Sequence, residues 1–169
     1  AGVVAIAIMA GHTAGVTALV VLRDGMLASG SADRTVRLWD VGTRAHVATL
    51  TPHANTVTAL AVLADGMLAS GSHDGLVRLW DTASRTRVRE LHVCSITSLA
   101  ALPGGGLVAG TRFGFTQAWN AAGCRCYTDT GIVYGHIHPN TALVVLPGNR
   151  LASASEDGTV RLWQLPPSL

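Results

Sequence analysis

Lysine is absent from this chain of 169 residues: all twelve basic residues are arginine. That absence excludes a Schiff-base lysine, a phosphate-loop lysine, and regulation by lysine acetylation or ubiquitination. Aromatics are scarce, at 5% of residues, and charge is low, at 13%. The arginines are dispersed, with Arg85, Arg87 and Arg89 as the only cluster. Nucleic-acid binders gather basic charge on one face and interleave aromatics for stacking, so nucleic acid is not the expected partner. Cysteine is rare and odd in number, and Cys124 and Cys126 are separated by a single residue. A disulfide framework is therefore not expected, and the chain reads as intracellular and cytoplasmic. Long hydrophobic runs are missing too. The longest, Val3 to Ala10, is too short to span a bilayer and lacks the basic segment of a secretory signal. It reads as a strand, and no membrane insertion is expected.

What is present is apolar and periodic. Apolar residues make up 49% of the chain and mean hydropathy is +0.37, which fits strands buried on both faces. The length is that of about one domain. Internal repetition is the strongest signal. Trp39, Trp80, Trp119 and Trp163 are spaced by 41, 39 and 44 residues, preceded by SADRTVRL, SHDGLVRL, TRFGFTQA and SEDGTVRL. His12, His53, His92 and His136 each stand 27 residues before their Trp. The apolar segments TALVVL, TALAVL, TSLAAL and TALVVL fall at one fixed offset in between.

Each unit reads as four short strands joined by turns. Asp24-Gly25, Asp65-Gly66, Gly104-Gly105-Gly106 and Gly148-Asn149 suit tight hairpins that need positive φ. A second strand such as MLASGS, a turn at Asp33-Arg34 or Asp74-Gly75, and a third strand such as TVRLWD follow. A segment such as Ala45 to Leu50 supplies the fourth. No helical periodicity is visible, so the expected fold is all-β: small antiparallel sheets that stack on one another to bury both faces.

In these features the chain resembles the WD-repeat β-propellers, over about 155 of its residues. The signatures are Gly11-His12 with Trp39-Asp40, Pro52-His53 with Trp80-Asp81, Leu91-His92 with Trp119-Asn120, and Gly135-His136 with Trp163-Gln164. The resemblance implies a β-propeller of four-stranded blades over 1-169, with repeats at about 11-50, 51-90, 91-134 and 135-165. Residues 1-10 would be a strand completing a blade. It also implies a buried tetrad per full repeat: His12, Ser29 or Ser31, Asp33 and Trp39; His53, Ser70 or Ser72, Asp74 and Trp80; His136, Ser153 or Ser155, Asp157 and Trp163. A buried indole N–H needs an acceptor, a hydroxyl can accept it and donate onward, and an imidazole can link that hydroxyl to a carboxylate. Asp-His-Ser here reads as structural cement rather than a hydrolase triad, since one small domain has no use for three. The third repeat departs from the pattern: Phe113 occupies the Asp position, which leaves Thr111 and His92 without that partner. This blade is expected to be the least rigid or to bury an apolar contact there.

No catalytic residue, cofactor or small-molecule substrate is expected. Cys124, Cys126, His136 and His138 offer zinc-type ligands, but their spacing is not that of a finger, and alternate strand residues can simply line one side of a blade. The resemblance implies instead a scaffold for other proteins or peptides within a multiprotein complex, or a structural subunit of a large assembly. Partners would dock through loop residues three after the repeat His and one before the tetrad Asp: Gly15, Thr56, Ser95 and Pro139, with Ala32, His73, Arg112 and Glu156. His73, Arg112 and Glu156 carry the chemistry in that set. Four repeats leave three assemblies open: a segment of a larger propeller, a homodimer sharing one eight-bladed ring, and a self-closed ring of four.

Overall fold

The computed structural model describes residues 7–50, 52–120, 125–126 and 132–166, and of 125–126 and 132–134 it describes the backbone. Every regular element among these residues is a β-strand. The first sheet runs in the order β1 (Val16–Val21), β2 (Leu27–Ser31), β3 (Val36–Asp40) and β4 (Ala45–Leu50). The second repeats it with β5 (Val57–Val62), β6 (Leu68–Ser72), β7 (Leu76–Asp81) and β8 (Thr86–His92). The third holds β9 (Ile96–Ala101), β10 (Leu107–Thr111) and β11 (Phe115–Trp119), with β12 (Arg125–Cys126) and β13 (Ile132–Tyr134) both paired to β11. The fourth comprises β14 (Asn140–Leu146), β15 (Arg150–Ser155) and β16 (Val160–Gln164). All pairings are antiparallel meanders, so each sheet is a run of hairpins and its register is set by its turns.

The turns show why these residues fold this way. In the first hairpin of the second sheet, Gly66 sits at φ 93° and the Asp65 carboxylate accepts from Met67 N at 2.9 Å. The next turn places Gly75, Gly114 and Gly158 at φ near 80° in sheets two to four, and the first sheet puts Arg34 there at φ 73°. Only glycine occupies that region without a Cβ conflict.

The outer position of the third sheet is interrupted. Trp119 pairs with Arg125 and Ala118 with Cys126, yet the next residue of β11, Gln117, pairs with Ile132. One step on β11 thus spans an insertion of five residues on its partner, 127–131, which accounts for the longest Trp spacing. In the expected opening strand, Val3 to Ile6 lie outside the described residues, and Ala7 to Ala10 carry no strand pairing.

The sheets stack in chain order and the core lies between them. Leu22, Ala28, Val36, Leu38 and Leu50 of the first sheet pack on Val57, Leu68 and Trp80 of the second. Ala69, Val77, Leu79 and Leu91 meet Ile96, Leu107 and Trp119. Leu102, Val108 and Ala118 meet Leu151 and Leu165. A fully buried Leu or Val contributes about 1.5–3 kcal/mol, so these three interfaces hold the molecule together. The approach is close: a Cβ on Gly30 would stand 2.6 Å from Val57 Cγ1, and one on Gly71 2.7 Å from Ile96 Cγ2. Blade-to-blade contact therefore requires glycine at this point of the second strand.

Candidate functional site

Two sets of expected site residues lie at the same end of the blades: the buried polar relays and the loops above them. In the second blade, Trp80 Nε1 donates to Ser70 Oγ at 2.8 Å, and Ser70 Oγ lies 2.8 Å from His53 Nε2. His53 Nδ1 lies 2.9 Å from Asp74 Oδ2. The first and fourth blades repeat this through Trp39, Ser29, His12 and Asp33, and through Trp163, Ser153, His136 and Asp157. The assignment with every donor facing an acceptor runs Trp N–H to Ser oxygen, Ser O–H to His Nε2, and His Nδ1–H to carboxylate.

Geometry selects between the paired serines. Ser29, Ser70 and Ser153 are the relay hydroxyls. Ser31, Ser72 and Ser155 instead accept from the N–H of Asp33, Asp74 and Asp157, and donate to the carbonyls of Gly15, Asn55 and His138. They tie the second strand to the loop before the first.

The electrostatics keep the carboxylate of each relay ionised. Burial raises the Asp33 carboxyl, but donation from the Thr35 hydroxyl, from His12 and from the Thr13 and Thr35 N–H groups outweighs it, leaving the group well below the usual carboxylate range. Asp74 is likewise lowered against the opposing effect of burial, by the Ala54 N–H, His53 and the Leu76 N–H. Asp157 is held down chiefly by the Thr159 hydroxyl, with burial opposing and His136 adding to the effect. His53 is pushed down by its burial, against the pull of Asp74. In the second blade, a neutral His53 imidazole against an ionised Asp74 carboxylate fits the donor order above. The relay serines are buried and already engaged by an indole and an imidazole, so none presents a free nucleophile.

The third blade corrects the sequence register. His53 N donates to Arg34 O at 2.8 Å and His136 N to Gly114 O at 3.3 Å; the corresponding bond here is Val93 N to Gly75 O at 2.9 Å. Val93, not His92, therefore occupies the relay position, and His92 is exposed at the end of β8. The loop that follows is one residue shorter than in the other blades, which is why a fixed spacing from Trp119 landed on the wrong residue. The relay serine is replaced by Ala109 and the aspartate by Phe113, so Trp119 is the only tetrad residue left. Thr111 is the counterpart of Ser31 and accepts from Phe115 N at 3.1 Å. Phe113 buries no apolar contact: it is 58% exposed, its ring 6.5 Å from that of Phe115.

The eight expected docking residues are brought together in pairs. Ala32 N donates to Gly15 O at 2.9 Å, His73 N to Thr56 O at 3.0 Å, Arg112 N to Ser95 O at 2.9 Å, and Glu156 N to Pro139 O at 3.1 Å. Arg112 and Glu156 are exposed, while His73, Thr56 and Ser95 are half-buried. Sequence reasoning missed two neighbours, Phe113 and Ile137, the latter 81% exposed. The turn at Gly114 abuts the backbone of His136 and His138, which sets Arg112-Phe113 beside Ile137-His138 across two blades. An apolar residue at a turn position normally held by Asp was the available signal. Cys124 and the side chain of Cys126 lie outside the described residues. Among the described residues no group of three or more His, Cys, Asp or Glu is arranged to hold a metal, and no helix is long and apolar enough to cross a membrane.

Comparison with known proteins agrees with this geometry. The sequence profile of the family described as "WD domain, G-beta repeat" matches residues 4–40, 44–81 and 129–164, more than half of the chain. Protein Mut11 of Chlamydomonas reinhardtii is 57% identical over 42 residues, which are 24% of this chain and 11% of that protein. The chain thus spans about a tenth of that curated relative's length. Among solved structures, the computationally designed Ika4 protein superposes with a TM-score of 0.81 at 30% identity, over 94% of this chain and 96% of that one. The RRP9 WD40 repeats superpose with a TM-score of 0.82 at 25% identity, over 95% of this chain and 51% of that one.

Proposed function

The chain belongs to the WD domain, G-beta repeat family, whose members are in general interaction scaffolds, and from that premise we propose that it is a non-catalytic platform docking protein or peptide segments on its loop face. The observation that carries this reading is the exposed patch of Arg112, Phe113 and Ile137, with Glu156 on the same end of the fourth blade. Arginine and aromatic anchors dominate the energetics of protein recognition, and among the described residues Phe113 is the one exposed Phe, Tyr or Trp, with an exposed arginine next to it in sequence. His73, Thr56 and Ser95 form the polar flank. The dispersed arginines support a protein rather than a nucleic-acid partner. An intracellular, cytoplasmic setting is part of the same proposal, and so is the absence of an enzymatic role, since the relay serines, histidines and aspartates are consumed by one another.

The test is peptide selection from a random display library on the immobilised chain, followed by titration of the selected sequences. The paired substitution Arg112→Ala with Phe113→Ser is expected to weaken them tenfold or more, about 1.4 kcal/mol. Selected peptides indifferent to that pair and to Glu156→Ala would sink the reading. A structural role in a larger assembly also has a specific observation behind it: Val16 and Leu19 on the first blade and Val160 and Leu162 on the fourth are exposed.

A further inference from the structure

The internal joints between blades are built alike around a glycine of the second strand. It pairs with one residue of the first strand and one of the third, and a side chain of the next blade lies over it. In the first joint Gly30 pairs with Ala18 and Val36 and lies under Val57. In the second, Gly71 pairs with Ala59 and Val77 and lies under Ile96. Both sets are apolar throughout. In the third joint Gly110 pairs with Ser98 and Thr116 and lies under Asn140, so all three positions have become polar. They are buried nonetheless: Ser98 is 7% exposed, Thr116 4% and Asn140 0%. The Asn140 amide nitrogen donates to Phe115 O at 2.8 Å, but the Ser98 and Thr116 hydroxyls and the Asn140 amide oxygen have no partner. Buried polar groups are nearly always paired, so three orphans around one glycine call for a polar partner from outside the chain. Space lies alongside. Leu38 packs with Trp80 in the first joint and Leu79 with Trp119 in the second, whereas Ala118 stands beside Trp163 in the third. The shorter side chain leaves a cavity of about 160 Å³ walled by Val108, Ala118, Leu151, Trp163 and Leu165. Thr116, with its unpartnered hydroxyl, lines the same cavity. The other polar residue there, Gln164, is exposed and already donates its amide N–H groups to the carbonyls of Gly148 and Asn149.

We propose that the joint between the third and fourth blades binds a small amphiphile, a single aromatic ring carrying one hydroxyl: a simple phenol. An apolar cavity of about 150 Å³ accepts a benzene molecule, so the volume suits one ring. The walls are valine, alanine and leucine, with the indole of Trp163 as an aromatic surface for the ring. A phenolic hydroxyl both donates and accepts, so it can pair with Thr116 Oγ1 in either sense. The Ser98 hydroxyl and the Asn140 amide oxygen extend the polar end of the site around Gly110. Water would pair with the hydroxyl without covering the apolar walls, and a hydrocarbon would cover the walls and leave the hydroxyl orphaned. A molecule with both kinds of surface satisfies the joint. The site lies inside the chain, with paired strands on either side, and it does not depend on docking at the loop face.

The probes are 4-fluorophenol and fluorobenzene, each titrated with the full chain and followed by fluorine NMR. Both are expected to bind saturably, the phenol more tightly by about three- to tenfold, the worth of one hydrogen bond. Thr116→Val is expected to erase that preference while fluorobenzene still binds. Ala118→Leu is expected to abolish binding of both. Each substitution gives the joint the residue its neighbours use, so both variants are expected to fold, with circular dichroism as the check. No saturable binding of 4-fluorophenol at millimolar concentration would overturn the proposal and leave the cavity to water. Equal binding by the wild type and by folded Ala118→Leu would overturn it as well, as would a preference for the phenol that survives Thr116→Val. Should Ala118→Leu fail to fold, nuclear Overhauser contacts between the bound probe and the methyl groups of Leu151 and Leu165 locate the site directly, and their absence overturns it.

Discussion

The second and third blades share the order and register of their first three strands and the close inter-blade approach, yet one has the full relay and the other only its tryptophan. His53, Ser70, Asp74 and Trp80 correspond to Val93, Ala109, Phe113 and Trp119. The pair shows that the polar relay is not what makes a blade. Both sheets are held by the apolar faces pressed between them, and both tryptophans are buried. The relay instead fastens the strand-opening loops to the sheet. Where it is lost, the loop shortens by a residue and its turn presents Phe113 to solvent. The third blade is also less well satisfied inside. Thr116 takes the place of Val77, and its hydroxyl is buried without a hydrogen-bond partner, as are the Ser98 hydroxyl, the Gln117 amide nitrogen and, on the fourth blade, the Asn140 amide oxygen. Ala118 replaces Leu79 beside a cavity of about 160 Å³ shared with Val108, Leu151 and Trp163.

The sharpest way to break the contrast is to give the second blade the third blade's residue. Ser70→Ala strands both the Trp80 N–H and the His53 ring nitrogen, each a loss of roughly 1–3 kcal/mol. Denaturant titration is expected to show about 3 kcal/mol less stability. The thermal midpoint falls by about 10 °C for a chain of this length. A loss under about 1 kcal/mol would mean the relay is ornamental.

Acid separates the same two blades. The carboxyls of Asp33, Asp74 and Asp157 are lowered on folding, so the unfolded chain binds protons first as pH drops below about 4, and stability is lost there. His53 is lowered too, so the unfolded state binds its proton first once pH falls through about 6.5, and stability begins to decline from that point. Both effects point the same way. Hydrogen exchange followed from pH 7 to pH 3 is expected to show protection falling in the loops of blades one, two and four. The Val93 loop, which has neither group, is expected to change least. Equal loss in all four loops would contradict the assignment.

Repairing the third blade is worth less. Ala118→Leu fills the cavity with the side chain the second blade uses, and a gain of about 1–2 kcal/mol is expected from the methylenes buried. Thr116→Val removes the unpartnered hydroxyl at nearly constant volume, with a gain of about 1 kcal/mol. Chemical denaturation of each variant and of the pair reads both. Because the two sites touch one cavity, their sum need not be additive.

How much of this was legible beforehand follows from what each residue depends on. The repeat, the strands and the glycine turns are local, and periodicity alone places them. Ser29 and Ser31 are two apart on one strand and so share a face; only packing decides that Ser29 reaches the tryptophan and Ser31 the loop carbonyls. The mistaken His92 has the same origin. A fixed spacing assumes equal loops, and the missing residue lies between Val93 and Ser95, where no side-chain pattern marks it. The split outer strand of the third blade left a trace in the Trp spacing, but spacing does not say which strand holds the extra residues. The exposure of Val160 and Leu162 was invisible in a different sense: they read like Val36 and Leu38, and only the stacking order tells which are buried.

Phe113 is where the comparison bears most directly on function and least on stability. Its counterpart Asp74 accepts from two backbone N–H groups and a histidine, so Asp74→Phe in the second blade would remove a working acceptor. Phe113→Ser removes a side chain that is 58% exposed, its ring 6.5 Å from that of Phe115. A stability change within about 0.5 kcal/mol is expected from such a surface position. If the loop face is the docking site, that neutral substitution weakens selected peptides while leaving the thermal midpoint in place. A fall in the midpoint matching Ser70→Ala would instead mean that Phe113 braces its blade as the aspartates brace theirs, and the third blade would be another solution to the same structural problem rather than a surface released for binding.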